Sequence, residues 1–259
     1  MPTEQIARVP RLGRAEFAET FLRHGPPVVV AEGLRTWSGS TTWTFDALRD
    51  RWGERTVSAW VTPDGQWDHA SQRQDVPFAE LLDAALARAP LGHRISGPQL
   101  NLERDIPWAA EGVGCPAFVP ENRLVSTNLW LQAAGDKTHL HWDHDPGVLG
   151  LLHGEKEIAL FAPGDRRSLY PIGSGSGVNW SQVDFWRWDA EAFPKFADAQ
   201  PLCVTLRAGE MLIVPPTWWH CVQTTQPSIS LNCWWAEPDA EISREYRSLL
   251  AFDSLHRRS

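Results

Sequence analysis

The sequence predicts a mainly β domain, a sandwich or barrel with helices packed against it. Three observations predict it. From about Leu124 the chain breaks into short alternating or apolar runs, each closed by a Gly-, Pro- or charge-rich turn, which is how strands are punctuated. Helical periodicity is confined to the stretches on either side of that region. Fifteen tryptophans supply large apolar bodies for a core and its flanks.

The elements follow in order. Arg14 to Arg23 places Phe17, Phe21 and Leu22 near one helical face and stops at Gly25-Pro26-Pro27, a helix-ending signal. Val28-Val29-Val30-Ala31 is a short β-branched run, read as a buried strand. Thr44 is the N-cap of a helix opening at Trp43-Thr44-Phe45-Asp46, since its hydroxyl can accept from a first-turn N–H. Thr56 to Val61 alternates like a strand and runs into the turn Pro63-Asp64-Gly65. Pro77 to Arg88 reads as a helix, with proline in its first turn and a stripe of Leu81, Leu82 and Ala85. Strands are then expected at Ser126–Leu131, His139–Asp143, Val148–Leu152, Glu157–Phe161, Cys203–Leu206, Met211–Val214 and Ser228–Trp235. The segment from Gly173 to Phe196 reads either as a flap over a site or as a surface insertion. Asp239 to His256 is an amphipathic helix, and a homodimer would form through it.

Bulk properties narrow the function. No apolar run approaches a membrane span, and the start MPTEQIARVPRLGR lacks the apolar region of a secretory signal. Cys115, Cys203, Cys221 and Cys233 show no paired spacing, so they read as reduced thiols of a cytoplasmic protein. A net charge of −8 weighs against a nucleic-acid partner, which calls for a basic face.

The chemistry gathers around His141-Trp142-Asp143. Successive side chains of a strand alternate faces, so His141 and Asp143 point the same way. His220, about 80 residues later and after Pro215-Pro216-Thr217-Trp218-Trp219, offers a third ligand. Two imidazoles and one carboxylate on one face suit non-heme Fe(II), with coordination positions left open. Catalytic zinc uses the same kind of set, and an unrelated His–Asp couple is the plain alternative. Lys156, in the strand after the His153-Gly154 turn, is either a solvated turn lysine or an ammonium facing the same cavity, where it would need an anionic partner. Trp142, Trp219 and Trp234, beside the ligands, are candidates for a substrate pocket or simply core.

Taken together, Thr138-His139-Leu140-His141-Trp142-Asp143, Lys156, the run Gly209 to His220 and Ser230-Leu231-Asn232-Cys233-Trp234-Trp235 resemble the JmjC/cupin-like 2-oxoglutarate oxygenases. The closest type is the small hydroxylases, which include the asparaginyl hydroxylase of hypoxia-inducible factor. The resemblance covers nearly the whole chain. It implies a double-stranded β-helix (jelly-roll, cupin-like) with flanking helices, one domain over 1–259. Its helix/strand part would span 1–123, its jelly-roll core 124–236 and its C-terminal helix 237–259.

By that resemblance His141, Asp143 and His220 bind Fe(II), and Lys156 with Thr138 holds the distal carboxylate of 2-oxoglutarate. Asn232 lies near co-substrate and metal; Asn128, with Trp130, belongs to the same wall. Thr138 has the opposite strand parity to His141, so a bulge is required for both to face inward. Two departures stand out. Gly147 occupies the position, four after the aspartate, where these hydroxylases commonly carry asparagine. The only tyrosines, Tyr170 and Tyr246, are not upstream, where the family often has one for the co-substrate. The implied activity is hydroxylation of a C–H bond of a protein, peptide or small molecule, consuming O2 and 2-oxoglutarate and releasing succinate and CO2. N-demethylation by the same chemistry, a non-catalytic metal-binding module and a zinc hydrolase are the alternatives.

Overall fold

The computed structural model describes residues 4–20, 25–37, 42–61, 66–67, 72–86, 99–172 and 179–236. In chain order the strands are β1 (Glu4–Gln5), β2 (Ala7–Val9), β3 (Val28–Val30), β4 (Thr56–Val61), β5 (Gln66–Trp67), β6 (Gln72–Pro77), β7 (Gln99–Asn101), β8 (Leu124–Gln132), β9 (Lys137–Trp142), β10 (Gly147–Phe161), β11 (Leu202–Arg207), β12 (Met211–Val214) and β13 (Trp219–Trp235). The α-helices are α1 (Arg14–Thr20), α2 (Phe45–Trp52), α3 (Phe78–Ala85) and α4 (Pro107–Ala110). No helix among the described residues is long and apolar enough to cross a membrane.

Two long strands organise the rest. β10 and β13 pair antiparallel from Gly147↔Trp234 to Phe161↔Trp219, with register shifts between Leu151 and Lys156. Around these shifts each strand changes its other neighbour, so each belongs to two layers. The start of β10 and the end of β13 lie in a layer ordered β2-β3-β12-β10-β13-β8-β7. The end of β10 and the start of β13 lie in a second, ordered β1-β11-β10-β13-β9-β5. Two layers sharing a bent strand pair form the expected jelly roll. β4 and β6 make a separate two-stranded ribbon.

Gly154 sits at the bend with φ +86°, and a Cβ there would lie 2.3 Å from the Pro227 carbonyl oxygen. A side chain is excluded on both counts. Gly154→Ala is expected to lower the unfolding free energy by about 1–3 kcal/mol, measured as a drop in urea midpoint at unchanged slope.

Strand alternation sorts the core. Val28 and Val30 pack with Phe17, Trp37 and Leu81 on the helix side of the first layer. Val29 faces the other way and packs with Leu206 and Leu212 between the layers. On the outer face of the second layer, Leu140, Trp142, Phe161 and Trp219 meet Leu169, Val183 and Phe196 from the 162–200 segment. In the described part of the Gly173–Phe196 segment, 179–196, Val183 and Phe196 pack on this outer face and Trp180 bridges to His141.

Thr44 caps α2 as expected, its Oγ1 accepting from the Ala47 N–H at 3.1 Å. Pro77 is the N-cap of α3 and the last residue of β6, not part of the helix. The runs Val148–Leu152 and Glu157–Phe161, expected as separate strands, are one bent strand, β10. Its Gly154 kinks the chain without reversing it, because β13 follows the bend and keeps the pairing. The expected helix over Asp239–His256, the turn at Pro63–Gly65 and the ends of the helices expected over Arg14–Arg23 and Pro77–Arg88 fall outside the described residues.

Candidate active site

His141 and Asp143 both line the cavity between the layers, although β9 stops at Trp142 and Asp143 stands one residue past it. His220 is the register partner of His141 across the β9–β13 pair, which closes the long gap in sequence. The three residues offer ligand atoms that all lie within 4.8 Å of one another. His141 Nε2 is 3.7 Å from Asp143 Oδ1, and His220 Nε2 is 3.7 Å from Asp143 Oδ2.

Backbone carbonyls set both imidazoles. His141 Nδ1 donates to the His139 carbonyl at 2.8 Å and His220 Nδ1 to that of Trp218 at 3.0 Å. A carbonyl can only accept, so each Nδ1 carries the proton and each Nε2 presents a lone pair. Burial, reinforced by the neighbouring His220, pushes His141 down to about 4, which leaves it neutral at physiological pH, as a metal requires. The Trp180 ring stacks on His141 with centroids 4.9 Å apart. Asp143 is held at both ends. Its carbonyl accepts from the Thr217 N–H at 3.0 Å, and its Oδ2 accepts from Trp234 Nε1 at 3.0 Å. Thr217 adopts φ 65°, an outlier for a β-branched residue, in the turn that delivers His220.

Deeper in the same cavity lies Lys156, 1% exposed. Its Nζ donates to Gln132 Oε1, and to Thr224 Oγ1 at 3.2 Å. Burial pushes the ammonium down to about 7, against the pull of Asp136. Ser230 Oγ, also on the cavity wall, is buried with no hydrogen-bond partner among the described residues. A buried ammonium bonded to neutral oxygens, in a cavity that also presents an unused hydroxyl, fits an incoming carboxylate. The donor set at the mouth fits Fe(II), since imidazole and carboxylate are its usual ligands.

Thr138 lines the cavity along with His141. The bulge that this requires is present: between the pairs His220↔His141 and Val222↔Thr138, β9 carries one residue more than β13. Asn232 also lines the cavity, its Oδ1 accepting from Trp130 Nε1 at 2.7 Å.

Three expectations are corrected. Asn128 does not line the cavity. Its side chain is engaged along the edge of the layer instead, Nδ2 donating to Ser126 Oγ at 3.2 Å and Oδ1 accepting from Asn101 Nδ2 at 3.5 Å. Trp142 and Trp219 are 1% exposed on the outer face of the second layer, because the neighbours of inward-facing ligands point outward. Trp234 alone of the three tryptophans faces the cavity. Gln132, Thr224 and Ser230 went unnoticed, yet period-2 alternation from Trp130, His220 and Asn232 reaches all of them. Trp180 carried no such signal, since it arrives from the covering segment through an isolated bridge to His141.

Comparison with known proteins agrees with this geometry. A family model described as "Cupin-like domain" matches residues 14–241. The human bifunctional peptidase and (3S)-lysyl hydroxylase JMJD7 is 29% identical, over 90% of this chain and 83% of that protein. The Arabidopsis thaliana lysine-specific demethylase JMJ30 is 31% identical over 87% of this chain and 54% of its own length, so the chain spans about half of that relative. The Gallus gallus tRNA wybutosine-synthesizing protein 5 is 26% identical, over 93% and 80%.

Proposed function

We propose that this chain, which belongs to the cupin-like family of JmjC oxygenases dependent on Fe(II) and 2-oxoglutarate, hydroxylates a C–H bond of a protein, peptide or small molecule. One observation carries the reading: a compact His141–Asp143–His220 set at the mouth of a cavity that holds a buried lysine farther in. A structural metal would need no such lysine and no open coordination positions, which argues against a non-catalytic module.

In this reading His141, Asp143 and His220 hold the metal. Bound iron supplies the oxidation, in which O2 and 2-oxoglutarate are consumed, one oxygen atom enters the substrate as hydroxyl, and succinate and CO2 leave. The rest is positioning by the chain. Lys156 and Thr138 take the distal carboxylate, with Gln132 and Thr224 keeping the ammonium aimed and Ser230 adding a donor. Asn232, fixed by Trp130, borders the path between carboxylate and metal. Leu149, Ile158, Leu212 and Val222 line the same space and exclude water from it.

The substrate is a C–H compound that reaches the mouth beside Trp234. N-demethylation needs only that the attacked carbon be an N-methyl, whose hydroxylated form loses formaldehyde. The net charge of −8 favours a substrate that is not a nucleic acid. We further place the protein in the cytoplasm, on its four free cysteines, and assign homodimer formation to the 237–259 segment.

Aerobic succinate release from 2-oxoglutarate with Fe(II) is the expected result. Intact iron binding with no succinate under any substrate would count against the proposal. Protein purified anaerobically is expected to carry iron, and zinc with hydrolytic activity would replace this reading by the hydrolase one.

A further inference from the structure

The departure at Gly147 and the bond from Trp234 to Asp143 are one feature. Gly147 and Trp234 are direct register partners across the β10–β13 pair, and both line the cavity. A Cβ built on Gly147 would lie 3.1 Å from both Cδ1 and Nε1 of the Trp234 indole. That is tighter than nearly all Cβ contacts, and it falls on the very atom that donates to Asp143 Oδ2 at 3.0 Å. The indole therefore uses the space that a side chain at 147 would take. It cannot tip away without losing its hydrogen bond to Asp143.

We infer that Trp234 is a positioning residue for the metal carboxylate, and that Gly147 is the residue that permits it. Where the related hydroxylases commonly carry asparagine this chain has glycine, and the donor to the carboxylate comes from the opposite strand. The inference rests on the metal reading of the triad. With Oδ2 held by the indole N–H, the rotation of the carboxylate is fixed, with Oδ1 3.7 Å from His141 Nε2 and Oδ2 3.7 Å from His220 Nε2. The backbone bond from Thr217 to Asp143 holds the main chain but leaves that rotation free. The Trp234 indole N–H, through its bond to Oδ2, is the side-chain donor that sets it.

Co(II) titration of the full chain, followed by d–d absorption, tests this without turnover. Native protein is expected to bind Co(II). Trp234→Phe keeps the ring and removes the N–H, and should weaken binding by about 10- to 100-fold, the usual effect of losing an outer partner of a metal ligand, with a changed d–d spectrum. Gly147→Ala crowds the indole and should shift affinity and spectrum in the same direction. Affinities within about twofold of native and unchanged spectra in both variants would overturn the inference while leaving the metal site standing. Native protein that binds no Co(II) would overturn the metal reading and the inference with it. Circular dichroism and urea midpoints of the metal-free variants distinguish a lost contact from a lost fold.

Discussion

Asp143→Ala is expected to abolish succinate formation while leaving the metal-free protein folded. The carboxylate is the only anionic member of the ligand set, so its loss removes charge compensation as well as a donor atom. Charge stabilisation by a catalytic metal contributes several kcal/mol, which puts the fall in rate at about 10³-fold or more. Folding should suffer little. The Asp143 side chain is 27% exposed, and the indole N–H it releases lines an open cavity where water can replace the acceptor. The urea midpoint of metal-free protein should therefore move by no more than about 1 kcal/mol equivalent. His141→Ala should lose activity similarly. Substantial succinate formation by either variant, with native-like metal content, would show that the triad is not the metal site.

Lys156→Met has an effect of comparable size and a distinct pH signature. Truncating one partner of a buried, hydrogen-bonded charge pair costs about 2–5 kcal/mol, so the KM for 2-oxoglutarate should rise by roughly 30- to 4000-fold. Metal affinity should stay native. The sign with pH follows from burial. The folded Lys156 titrates near 7 and the unfolded one near 10.5, so between these values the unfolded chain binds more protons. Stability of the metal-free protein should then rise with pH, by about 2 kcal/mol from pH 7 to 9. Lys156→Met should lack that rise. Co-substrate binding has the opposite dependence: full affinity below about pH 7, falling by up to about tenfold per unit above it as the ammonium must be reprotonated. Calorimetry at pH 8 in buffers of different ionisation enthalpy should register proton uptake on binding. No uptake, with a native KM in Lys156→Met, would remove Lys156 from the co-substrate site.

Much of the fold and the site could be read from local pattern. The His141–Asp143 parity, the Thr44 cap and the need for a bulge near Thr138 all depend on neighbours within a few residues, and all hold. Much of what failed depends on distant partners. β6 and β7, with sequences QRQDVP and QLN, carry little apolar alternation and become strands only because β4 and β8 offer them edges. Gly154 has the form of a turn, but β13 bends alongside and the strand continues. Trp142 and Trp219 were placed by nearness in sequence to the ligands, when the same alternation that points the ligands inward turns these two outward. Gly147 could be recognised as a departure. Its consequence needed the register with Trp234, which no local pattern contains.

β13 alone carries His220, Val222, Ser230, Asn232 and Trp234, all of which line the cavity. A slip of one residue in this strand would turn all five outward at once, because strand faces alternate with period two. Metal binding and co-substrate binding are therefore not separable inheritances in this chain. A one-residue slip of the whole strand removes both together, whereas length changes in the 162–200 cover leave the β13 register untouched. The positions where this protein can vary in length are set by one strand's alignment, not by distance from the metal.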